Sequence, residues 1–94
     1  MKKVLTFKNP EMVTSKDGRL KLVELKVRIE EICAIHRTED GKQHVLAIFI
    51  HEEKPDYKLP PKCYAFHISE KDYEIAKPIF SEYIKKQKGG DGNA

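Results

Sequence analysis

Ile32-Cys33-Ala34-Ile35-His36-Arg37-Thr38-Glu39-Asp40-Gly41-Lys42-Gln43-His44-Val45-Leu46-Ala47-Ile48-Phe49-Ile50 is the stretch that decides the fold. Two apolar runs, residues 32–35 and 45–50, flank a polar segment centred on Asp40-Gly41. Asp-Gly between apolar, β-branched runs signals a hairpin, because glycine accepts the positive φ that a tight turn demands. With Asp40-Gly41 as a two-residue turn, Arg37 opposes His44, Ile35 opposes Leu46, Cys33 opposes Ile48 and Glu31 opposes Ile50. Alternation then puts Cys33, Ile35, Leu46, Ile48 and Ile50 on one face, and Ile32, Ala34, Val45, Ala47 and Phe49 on the other. Both faces are apolar. At ~25 cal/mol per Å² of apolar surface, leaving either in water forfeits several kcal/mol. One helix covers one face. The second face calls for more sheet, a partner subunit or a ligand.

Upstream, Val23-Glu24-Leu25-Lys26-Val27-Arg28-Ile29 alternates strictly between apolar and polar residues. A period of two predicts a half-buried strand with Val23, Leu25, Val27 and Ile29 inward. A helix over residues 20–35 is the competing reading. It would gather Leu22, Leu25, Ile29, Ile32 and Cys33 but turn Leu20, Val23, Val27 and Ile35 away, and the β-branched residues favour strand. The alternation changes phase between Leu22 and Val23 and again across Ile29-Glu30-Glu31-Ile32. Each change predicts a bulge or bend. Val4-Leu5-Thr6-Phe7 is a further short strand, interrupted at Asn9-Pro10. Met12-Val13-Thr14 resumes extended structure, and Ser15-Lys16-Asp17-Gly18 is a second Asp-Gly turn.

Downstream, residues 51–62 form a loop stiffened by Pro55, Pro60 and Pro61. Tyr57 and Leu59 are its large apolar side chains, placed to pin the loop or to meet a partner. Cys63 to Ile68 is a strand with Tyr64, Phe66 and Ile68 on one face. Ser69 then caps a helix, with Asp72 placed to accept backbone N–H groups. Tyr73, Ala76, Ile79, Phe80, Tyr83 and Ile84 form its apolar stripe. Pro78 predicts a kink or a restart. Gly89 is the expected stop, leaving residues 1–88 as one domain and 89–94 as a disordered tail.

The chain has 94 residues and a formal net charge of +3, with a mean hydropathy of -0.61 and a pI near 8.8. That length supports one modest core. The charge is too small to imply nucleic acid by itself. No apolar run approaches the ~18 residues of a membrane span, and the residues after Met1-Lys2-Lys3 are too mixed for a signal-peptide core. Cys33 and Cys63 read as free thiols in a reducing cytoplasm, the expected location.

Lys62-Cys63-Tyr64-Ala65-Phe66-His67 carries the sharpest motif. It resembles the aromatic strand of RNA-recognition domains, on which exposed rings stack bases. Lys62, Tyr64, Ala65 and Phe66 match that pattern. Cys63 stands where the family has glycine, His67 where it has an apolar residue and Ser69 where it has a final aromatic. The family's helix between the first two strands, its partner aromatic motif and its last strand have no counterpart here. The resemblance implies nucleic-acid contact through Lys62, Tyr64 and Phe66; separately, Lys85, Lys86 and Lys88 at the helix end, with Lys2 and Lys3, read as a basic patch that would add to it.

His36, His44, His51 and His67 lack metal-ligand spacing, and on the hairpin His36 and His44 fall on opposite faces. No phosphate loop, dinucleotide fingerprint or nucleophile motif is present in the sequence. The expectation is an α+β domain: an antiparallel sheet of about five strands with one C-terminal helix packed on one face. The expected function is non-enzymatic binding and assembly, without cofactor or metal, as a homodimer or with a protein partner. The candidate interface is Cys33, Ile35, Leu46, Ile48, Ile50, Tyr57 and Leu59. The alternative is weak single-stranded nucleic-acid binding.

Overall fold

The computed structural model describes residues 3–13, 22–53 and 59–92, with side chains as far as Gln87. The expected turn at Ser15–Gly18, Tyr57 and the side chain of Lys88 lie outside the described residues. Six strands precede one helix: β1 (Val4–Lys8), β2 (Glu11–Met12), β3 (Glu24–Arg28), β4 (Ile32–Arg37), β5 (His44–Ile50), β6 (Lys62–Ile68) and α1 (Glu70–Gly92). All pairings are antiparallel. β1 and β3 form a two-stranded sheet. The second sheet runs in the order β2-β6-β5-β4. The class is α+β, with six strands in two sheets where about five in one were expected.

Two corners divide the strands between the sheets. At the first, Asn9 takes a φ of 53°, a left-handed conformation that asparagine tolerates better than most residues. Pro10 follows, buried, and the chain passes from β1 to β2. Backbone bonds from Asn9 N–H to the Val23 carbonyl (2.9 Å) and from Leu22 N–H to the Pro10 carbonyl (3.1 Å) hold this corner.

The second corner is a 3₁₀ turn, Ile29–Glu31, between β3 and β4. Glu31 is only 1% exposed. Its carboxylate accepts the Arg28 N–H at 3.1 Å and Arg28 Nη2 at 3.0 Å. The paired carboxylate holds the Arg28 guanidinium even more firmly protonated. A 3₁₀ turn advances three residues per turn, so Ile29 and Ile32 both face the core.

A bulge then sits between Ile32 and Ala34. Ile32 pairs with Ile48 and Ala34 with Ala47, leaving Cys33 as the extra residue. The expected pairs Arg37–His44 and Ile35–Leu46 are present, but Cys33–Ile48 is replaced by Ile32–Ile48. Ile32 is therefore inside and Cys33 exposed, the reverse of the sequence expectation. The exchange buries the larger aliphatic side chain, which the hydrophobic effect favours.

The hairpin end is also wider than a two-residue turn. Thr38 N–H donates to the Gln43 carbonyl at 2.9 Å, and Gly41 N–H donates to the Thr38 carbonyl at 2.8 Å. Gly41 has a φ of 73°. Asp40 Oδ1 accepts from the Thr38 hydroxyl and from the Lys42 N–H.

Ser69 caps α1 by accepting the Asp72 N–H at 3.1 Å. Asp72 Oδ2 accepts a backbone N–H of β1, that of Lys8, at 2.8 Å. One turn further on, Lys77 Nζ donates to the Ile35 carbonyl of β4 at 2.7 Å. β4 and β1 are edge strands of the two sheets, so α1 bridges them. Ala76 and Phe80 are buried beneath it, with Tyr73, Ile79, Tyr83 and Ile84 packed alongside. α1 continues through Pro78 as one helix and runs past Gly89 to Gly92.

Candidate functional site

The second sheet has one sealed face and one open face. On the sealed side, Ile35, Leu46, Ile48 and Ile50 are at most 1% exposed. The chain's own core covers them, so no partner can reach them. Leu59 is buried as well. Of the expected interface residues within the described structure, Cys33 alone is exposed.

The open face is built by the alternate residues of the same strands. Its middle row is Ala34, Ala47 and Ala65, one from each of β4, β5 and β6. To one side, Val45 lies between His36 and His67, with Glu11 of β2 beyond. To the other, Phe49 pairs with Cys63. Phe49 is 37% exposed, and its ring centroid lies 4.7 Å from that of His51. Val13, exposed, extends the alanine row by donating its N–H to the Ala65 carbonyl at 2.8 Å. Ala34, Val45, Ala47 and Ala65 are half-buried, and Phe49 is exposed. Three alanines in line form a shallow hollow beside the Phe49 knob.

The two cysteines are free and exposed. β5 lies between their strands, so two interstrand steps of ~4.8 Å separate them. A disulfide needs Cα atoms within about 7 Å, which rules out a bond within one chain in this fold.

The aromatic strand faces inward. Tyr64 is 4% exposed and Phe66 is fully buried. Tyr64 donates its hydroxyl to the Pro60 carbonyl at 2.9 Å, and burial pushes its pKa up. Lys62 Nζ lies 5.5 Å from the Tyr64 ring centroid. Rings held in the core cannot stack bases, so the expected stacking role of Tyr64 and Phe66 is overturned. Alternation in β6 leaves Cys63, Ala65 and His67 on the outside instead. Lys85 and Lys86 are exposed on α1.

Two features had no clear signal in the sequence. Arg37 Nε donates to His44 Nε2 at 3.2 Å, and Tyr73 packs on both, 4.7 Å from the His44 ring and 4.9 Å from the Arg37 guanidinium. Nothing in the spacing of residues 37, 44 and 73 announces this cluster, because it forms across a hairpin and a helix. The second is a groove of about 670 Å³ between the 3₁₀ corner and α1, lined by Lys3, Ile29, Glu30, Pro78, Ile79, Glu82, Tyr83 and Lys86. No group of three or more His, Cys, Asp or Glu side chains among the described residues is placed to hold a metal ion. No helix among them is long and apolar enough to cross a membrane.

No protein-family model, curated protein or solved structure matches this chain.

Proposed function

We propose that this chain is a small intracellular binding and assembly protein, without catalytic chemistry of its own, that pairs through the open face of its second sheet. The observation that carries this reading is the partly exposed apolar row on that face: Ala34, Ala47 and Ala65 in line, Val45 on one side and the exposed Phe49 on the other. A knob and a hollow on one surface make that surface complementary to itself under a twofold axis. Phe49 of one copy then rests on the alanine row of its mate.

The face measures roughly 250 Å², from three strands ~4.8 Å apart and about five residues deep at ~3.4 Å each. That is well below the ~800 Å² per partner of a stable interface, so the expected assembly is weak and concentration-dependent, in the micromolar range.

Light scattering on a size-exclusion column tests this reading. The expected mass exceeds 10.9 kDa and rises with loading concentration. Phe49→Lys lowers that mass while leaving the circular dichroism spectrum unchanged. A chain that elutes as monomer at about 100 µM, far above the micromolar range, refutes it.

A further inference from the structure

The helix residues that line the groove belong to a longer seam. Asp72, Ile75, Ile79, Glu82 and Lys86 follow 3-4-3-4 spacing, which places them along one side of a helix. This stripe runs beside Tyr73, Ala76, Phe80 and Ile84, which meet the core, and shares Ile79 with that packing. Ile75 is 55% exposed, and Pro78 is exposed beside the seam. Ile79 and Tyr83 are half-buried at the groove wall.

The charges around the groove select its occupant. Two cations, Lys3 and Lys86, and two carboxylates, Glu30 and Glu82, line it, so its formal charge sums to zero and favours neither an anion nor a cation. The seam is polarised, with Asp72 at its N-terminal end and Lys86 at its C-terminal end. Each lies seven residues from Ile79. In an antiparallel pair centred on Ile79, Asp72 of each helix meets Lys86 of the other, and Ile75 meets Tyr83. Asp72 already accepts the Lys8 N–H through Oδ2, and a carboxylate has lone pairs for a second donor.

We propose that a second copy of this chain docks its α1 antiparallel in this groove, on a surface separate from the open sheet face. The proposal rests on the self-assembly read from that face and supplies area the face lacks. A stable interface takes about 800 Å² from each partner, more than three times the roughly 250 Å² of flat face derived from strand spacing. Two twofold surfaces on one subunit carry assembly beyond a dimer, and close it at four copies where the two axes cross at right angles.

Sedimentation equilibrium of the full chain separates the two surfaces. The wild-type chain is expected to assemble beyond a dimer, and Ile75→Glu and Phe49→Lys each to stop at dimers. The double variant is expected to be monomeric, with circular dichroism verifying the fold of each. Ile75→Glu sedimenting like wild type overturns the helix pairing, and if Phe49→Lys is then monomeric the sheet face stands alone. If instead Phe49→Lys changes nothing and Ile75→Glu is monomeric, the sheet reading fails and the helix pairing holds. A second readout tests the axis. In a Cys33→Ser, Cys63→Ser background, Ile79→Cys is expected to give a covalent dimer on mild oxidation. Absence of that product from an assembled sample overturns the antiparallel pairing.

Discussion

The two faces of the second sheet come from the same three strands and are both apolar, yet they differ in side-chain size. Leu46, Ile48, Ile50, Tyr64 and Phe66 point inward and are buried; Val45, Ala47, Cys63, Ala65 and His67 point outward, with Phe49 the large apolar residue among them. Burying a large aliphatic or aromatic side chain yields about 1.5–3 kcal/mol, and an alanine much less. The second sheet, the β1–β3 sheet and α1 therefore close over the bulky side. Hydropathy counts both faces as equal, but volume decides which one the chain covers for itself.

Substitutions on the two faces test that contrast directly. Phe66→Ala empties a core position and is expected to cost about 3–5 kcal/mol in urea unfolding. Phe49→Ala, its counterpart outside, is expected to cost under about 1 kcal/mol at concentrations where the chain is monomeric. Equal costs would erase the distinction. The sealed side also depends on the 3₁₀ corner that brings Ile32 inside. Glu31→Ala removes the buried carboxylate, and because its partner Arg28 is about a third exposed, the expected loss is about 2 kcal/mol rather than that of a fully buried pair. Asp72→Ala deletes the acceptor that ties α1 to β1 and is expected to cost about 1 kcal/mol. Unfolding by chemical denaturant measures both.

The smallest effect concerns pH at the rim of the fold. The Thr38 hydroxyl and the Lys42 N–H hold the Asp40 carboxyl below its ordinary range, and Lys8 does the same for Glu24. Their folded forms release protons more readily than the unfolded chain does. The stability they contribute is present above about pH 4 and is lost as pH falls through the folded values. Thermal melts from about pH 6 to about pH 3 check this. Asp40→Asn and Glu24→Gln together should flatten the acid side of the profile.

Much of the fold was legible in local chemistry. Asp40-Gly41 marked the hairpin, alternation marked β3 and β6, and Ser69 marked the start of α1. The phase change across residues 29–32 announced a bend. Its consequence was not readable, because whether a bend or a bulge absorbs each extra residue depends on Glu31 finding Arg28 and on Ile32 outcompeting Cys33 for the core. These are tertiary events. The open face was partly legible: two apolar faces were expected on the hairpin, but the residues assigned to the candidate interface are those of the buried face. The aromatic strand misled for a related reason. A motif read along β6 does not state which of its alternating sides meets solvent. The groove depends on Lys3, the corner and α1 meeting, and no single segment encodes it.

The thiol of Cys63 stands on the open face beside Phe49, so it reports directly on whether another copy covers that surface. Alkylation of this thiol in the Cys33→Ser chain, followed as protein concentration rises from about 1 to about 100 µM across the micromolar range, tests the account most directly. The face-to-face pairing predicts that the rate per thiol falls as concentration rises, and that Phe49→Lys abolishes the fall. A rate that stays constant over the whole range would contradict it.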